Sequence, residues 1–103
     1  MLCEIDIAAT LQQRLGVEMG AYTILGACNP SLANRALRAD PNVGLMLPSN
    51  VVVREAERAG TTVIAAIDPE KQMESAEVGE VSTVAAEVSR KLRRVLLAVG
   101  ATP

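Results

Sequence analysis

The stretch ILGACNPSLANRAL, residues 24–37, decides the fold. An apolar run ends on Cys28, then Asn29, then Pro30, and an amphipathic run follows. Upstream, AYTILGA (Ala21 to Ala27) is rich in β-favouring residues and predicts a buried strand. Asn29 has the side chain of a strong N-cap. Pro30 suits the first helical position, where its missing N–H is not needed. Leu32, Ala33, Ala36 and Leu37 then make a narrow apolar stripe. Asp40-Pro41 closes the helix, because the residue before proline disfavours the α region. The tripeptide CNP is therefore first a strand-to-helix hinge.

Working outward, LCEI (Leu2 to Ile5) predicts a short strand, and DIAATLQQRLG a helix. Asp6 is its cap, Ile7, Leu11 and Leu15 share one face, and Gly16 supplies the stop. After the hinge, VGLMLPSNVVVREAE reads as two apolar runs broken by PSN. Pro48 cannot donate to a sheet ladder, so a kink, bulge or edge position is expected there, with Val51 to Arg54 as a strand. AERAG predicts a turn with Gly60 at positive φ, and TTVIAAID (Thr61 to Asp68) the returning strand. DPEKQMESAEVGE reads as a polar loop with one helical turn. The last element is the clearest. Val81, Val84, Val88, Leu92, Val95 and Val99 repeat in steps of three and four, with Val88 and Leu92 at the centre of the stripe. Glu80 and Glu87 lie early and Arg90, Lys91, Arg93 and Arg94 late, which complements the helix dipole. RKLRR reads as a solvated helix end, or alternatively as an anion site. The elements together predict one α+β domain over residues 1–103, with a long C-terminal helix.

Composition narrows the function classes. Half of the 103 residues are apolar, yet there is no Phe, no Trp and one tyrosine, Tyr22. The core must be built from Val, Ile, Leu, Ala and Met. A chain of this size buries roughly 65% of its unfolded surface, so association would widen a thin stability margin. The net charge of -2 leaves no basic surplus for phosphate contacts, and no aromatic series for base stacking exists, so no nucleic-acid partner is expected. No apolar run reaches the ~20 residues of a membrane span, so no membrane partner is expected. The start lacks the pattern of a signal peptide. With only Cys3 and Cys28, a reducing, cytoplasmic location is the expectation.

The chemistry-bearing residues are few. Histidine is absent, which removes the commonest general base and metal ligand. A Ser-His or Cys-His pair is impossible within one chain, and no zinc spacing, P-loop or dinucleotide fingerprint occurs. Neither a metal nor another cofactor is expected. Cys28 is the one candidate for a reactive group. Lying just before a helix N-terminus, its thiol is open to activation by the helix dipole; the other reading is a small buried residue filling the junction. Asn29, Ser49 and Asn50 interrupt apolar runs and read either as ligand contacts or as cap and turn formers. Glu4, Asp6 and Asp68 lie at element ends, with nothing in their spacing to bring two together for acid/base work.

EIDIAATLQQRLGVEMGAYTILGACNPSLANRAL, followed by VGLMLPSNVVV and AIDPEKQM, resembles the bacterial and archaeal family called domain of unknown function 302. The resemblance covers almost the whole chain, and LGACNP and LP-x-N-VVV in this order are its specific parts. It implies a compact α+β fold, a small antiparallel sheet with helices packed on one face, and often a homodimer, but no particular reaction. Family members usually carry LPCN, so Ser49 stands where a second thiol would be, which argues against a two-cysteine redox or metal site. Members also typically have a further strand and amphipathic helix ahead of EID. Without them, a sheet edge and an apolar face would stand open.

Three functions follow as expectations. The first is a small-molecule binding or accessory domain acting as a homodimer, its pocket lined by Cys28, Asn29, Ser49 and Asn50. The second is a thiol-dependent enzyme or redox sensor centred on Cys28. The third is an interaction module using an open sheet edge.

Overall fold

The computed structural model describes residues 3–72 and 79–100. The fold is α+β, with a four-stranded antiparallel sheet, helices, and a long C-terminal helix. Two compact units make it up. One comprises Met1–Ala27 with Asn50–Ala66, the other Cys28–Ser49 with Ile67–Pro103.

The first unit holds the sheet. Strand β1 (Cys3–Asp6) passes directly into α1 (Ile7–Leu15). Asp6 ends the strand and caps the helix, its Oδ1 accepting from the Ala9 N–H at 2.9 Å. Gly16 stops α1 at φ 67°, in the left-handed region open to glycine, and its N–H returns to the Gln12 carbonyl. Strand β2 (Tyr22–Ala27) pairs antiparallel with β1, setting Ile5 opposite Ile24, and α1 packs beside β2. Strands β3 (Ser49–Glu55) and β4 (Thr62–Ala66) form a hairpin with Val53 opposite Ile64, and Gly60 takes φ 77° in its turn. The strand order is β1-β2-β3-β4, so β1 and β4 are the outer strands. β2 is less enclosed than its sequence suggested: only Gly26 is buried, and its other residues are half-buried.

The second unit holds the apolar core. Helix α2 (Pro30–Ala39) is followed by a 3-10 helix (Pro41–Met46), a single turn α3 (Pro69–Gln72), and α4 (Gly79–Ala98). Leu32 and Ala36 of α2, Val43, and Val81, Val84 and Ala85 of α4 form one buried cluster. Ala36 and Ala85 are the small members of this cluster, where α2 and α4 pack against each other. Arg35 and Glu87 add an ion pair between the same two helices at 3.2 Å.

Two expectations are corrected here. The run Val43–Met46 is helical rather than part of an extended segment. Asp40-Pro41 ends α2 and also starts a new helix, since Asp40 Oδ1 accepts from the Asn42 N–H at 3.0 Å and Pro41 occupies the first turn. Val88 and Leu92 are not the buried centre of α4. Both are half-buried, and the buried part lies at Val81, Val84 and Ala85. The single helical turn expected after Asp68 is α3; of the rest of that polar segment, 73–78 lie outside the described residues and Gly79 and Glu80 begin α4.

Candidate functional site

Asn29 is committed to the backbone. At φ -94° and ψ 115° it is extended, its Oδ1 accepts from the Leu32 N–H at 3.2 Å, and its carbonyl accepts from the Ala33 N–H at 2.9 Å. The hinge read from CNP is thus real, and the side chain proposed for ligand contact is the helix cap. Cys28, one residue earlier, is a free, half-buried thiol; the other free thiol, Cys3, is exposed on β1.

Ser49 and Asn50 open β3 and differ sharply. Asn50 is exposed, whereas Ser49 is 3% exposed. Among the described residues the Ser49 hydroxyl makes no hydrogen bond, although a buried hydroxyl normally has a partner. Cys28, Asn29 and Ser49 belong to the helical unit and Asn50 to the sheet unit. No hydrogen bond joins any two of the four among the described residues.

A second polar cluster was less visible. Asp68, seen in the sequence only as an acid at an element end, caps α3: its Oδ1 accepts from the Glu70 N–H at 3.1 Å and from Ser89 Oγ at 3.4 Å. Ser89 is 3% exposed. Its one signal was position, since it lies eight residues after Val81 and four after Ala85, on the apolar side of α4. Pro69, next to the cap, is fully buried. These atoms lock α3 to α4. A carboxylate engaged by a backbone amide and a hydroxyl, with no second acid joined to it among the described residues, is suited to holding structure rather than moving protons.

In the sheet unit an open hollow of about 320 Å³ lies on α1 and the segment after it, lined by Ala8, Ala9, Gln12, Glu18 and Met19. It offers one carboxylate and one amide over a small-residue floor, and no nucleophile. None of the four residues expected to bind a ligand lines it. Among the described residues, no group of three or more His, Cys, Asp or Glu is placed to hold a metal ion. Among them, too, no helix is long and apolar enough to cross a membrane.

The model of one sequence family matches residues 1–99, a span that takes in the hinge, the short helix before β3 and the long final helix. The chain belongs to the DUF302 family, the domain of unknown function DUF302. A similar solved structure is that of an uncharacterized conserved DUF302 protein from Bacillus stearothermophilus. It is 28% identical to this chain, with a TM-score of 0.79 over 90% of this chain and 71% of that one. No curated protein matches the chain. DUF302 membership therefore carries the fold and no reaction. Ser49 is the buried member of the expected site.

Proposed function

We propose that this DUF302 domain is an accessory domain that works as a homodimer, joined along an outer strand of its sheet. The observation that carries the reading is the contrast between the two outer strands. β1 carries Glu4 and Asp6 in four residues, the charged pattern that blunts an edge. β4, Thr62–Ala66, has no charge, no proline and no glycine, and Thr62 and Ala65 are exposed. Such an edge offers unpaired backbone groups with nothing to repel a second strand. A two-fold axis at Ile64 would set Ile64 against its own copy and Thr62 against Ala66, which is the closed arrangement commonest in oligomers. The contact is largely apolar, so salt has little effect on it.

Sedimentation at micromolar concentration, in low and high salt, tests this. A dimer in both is expected, with Ala65→Lys shifting it to monomer while the circular dichroism is unchanged. A monomer in both conditions overturns the reading.

Ser49 favours a second function, small-molecule binding in the helical unit, because a ligand polar atom would satisfy its buried hydroxyl. Native mass spectrometry with added metabolites is the direct assay. A ligand retained by Cys28→Ser and lost by Ser49→Ala would favour binding over thiol chemistry. A function lost in Cys28→Ser alone would favour the thiol reading instead.

A further inference from the structure

The cations of α4 lie before its end. Arg90, Lys91, Arg93 and Arg94 are all exposed, but α4 runs on to Ala98 and its last turn carries no basic residue. The helix dipole acts on charges within that last turn, so it does not account for them. Pairing does not account for them either. Glu87 is the one acid of α4 within four residues of any of them, and it is engaged by Arg35 of α2 at 3.2 Å. Among the described residues the four cations form no ion pair and no hydrogen bond. They also repel one another, since Arg90 and Arg94 stand four residues apart and Lys91 and Arg94 three. In the free chain this cluster is uncompensated charge.

The arginines face one way. At the helical repeat, Arg90, Arg93, Arg94 and Leu97 fall within about 100° of arc, on the side turned from Val81 and Ala85. Leu97, three residues after Arg94 and four after Arg93, is 65% exposed. Three guanidinium groups and one apolar side chain therefore share the outer face of about two turns. The outer face of a helix is convex and encloses no small anion, which leaves a macromolecular partner. Charge and Leu97 choose among these. The rest of the chain carries six basic residues against twelve acidic ones. A nucleic acid or a lipid sheet extends beyond two turns and is repelled by that excess, whereas a short acidic segment of a protein meets the arginines alone. An apolar side chain among the arginines gains nothing from a phosphate backbone, while protein contacts combine arginine with an apolar centre.

We propose that this outer face of α4 docks a short acidic segment of a partner protein. Its Asp or Glu side chains would pair with Arg90, Arg93 and Arg94, and an apolar residue would cover Leu97. Guanidinium groups suit this role, because each can hold a carboxylate through two parallel N–H bonds. The pairs are at the surface, so the contact is weak, salt-sensitive and suited to a transient partner. Its salt dependence separates it from the apolar homodimer proposed above, which salt leaves intact.

The probe is a labelled synthetic helical peptide with glutamates at three- and four-residue spacing around one leucine, followed by fluorescence anisotropy. Saturable binding is expected, weakening about tenfold between about 50 and about 300 mM salt. The same peptide with glutamine in place of glutamate should bind about tenfold more weakly. Arg90→Gln with Arg94→Gln should weaken the glutamate peptide about tenfold and leave the thermal midpoint unchanged or raised, because it relieves repulsion. Leu97→Ser should weaken it about threefold with the midpoint unchanged. Absence of binding to the glutamate peptide, equal binding of the two peptides, or a lowered midpoint in the double arginine variant overturns the proposal. So does tighter binding of duplex DNA, or of anionic phosphatidylglycerol vesicles, than of the glutamate peptide.

Discussion

Ser89 Oγ donates to Asp68 Oδ1 across 3.4 Å, joining the middle of α4 to the cap of α3 over 21 residues of chain. The two partners are unequally placed. Ser89 is buried, whereas Asp68 is half-buried and also holds the Glu70 N–H. Removing the acid strands a buried hydroxyl and uncaps a helix; removing the hydroxyl leaves an acid that water can reach. Asp68→Ala should therefore cost about 1–3 kcal/mol and Ser89→Ala under ~1 kcal/mol. Urea unfolding of both variants measures the order, and equal losses would contradict it.

Asn29→Ala should destabilise the protein by about 1 kcal/mol, because it leaves the Leu32 N–H without its cap. Asn29→Asp, which keeps a capping oxygen, should restore most of the loss. Chemical denaturation of the two variants checks this. A ligand role would show the opposite pattern, with stability nearly unchanged and binding lost.

The parts of the fold legible in advance were those written in local chemistry. Asp6 and Gly16 bracket α1, Asn29 and Pro30 start α2, and Gly60 turns the hairpin, because each uses a side chain or a positive φ that few residues supply. Asp40-Pro41 misled because the same pair that forbids one helix from continuing is a good start for the next. The stripe of α4 named the right face, but periodicity says nothing of how far a neighbour extends, and α2 has ten residues to the twenty of α4. The candidate site was harder. Residue type marked Ser49 and Asn50 alike as polar breaks, while burial, which separates them, depends on the whole fold. Ser89 went unmarked because its partner lies 21 residues away.

Leu32→Ala should cost about 2–5 kcal/mol, since Leu32 is buried in the cluster that joins α2 to α4. Leu92→Ala removes the same atoms from a half-buried site and should cost markedly less, about 1 kcal/mol. Ala36→Leu should also destabilise, by about 1–3 kcal/mol, because it forces bulk into the buried cluster where the two helices pack. Thermal and urea unfolding give the ranking. A Leu92→Ala loss equal to that of Leu32→Ala would mean that the second half of the α4 stripe is covered in solution, as a stable homodimer through α4 would require.

Glu55 and Gly20 form a clamp at the start of β2. The Glu55 N–H donates to the Ala21 carbonyl at 2.9 Å, and Glu55 Oε2 accepts from the Ala21 N–H at 3.2 Å. The carboxylate reaches that amide by passing over Gly20, where a Cβ would overlap Glu55 Oε2 and crowd its Cβ and Cδ. Gly20→Ala should therefore push the carboxylate off the Ala21 N–H. The site is exposed, so water can replace the lost bond and the cost should be about 1 kcal/mol. Glu55→Ala should cost a similar amount by deleting the same bond directly. The informative measurement is the double variant. With the carboxylate gone there is nothing for the new methyl to displace, so the two losses should not add, and the coupling should be at least ~0.5 kcal/mol. Additive losses would show that Gly20 is required for a reason other than the passage of the Glu55 side chain.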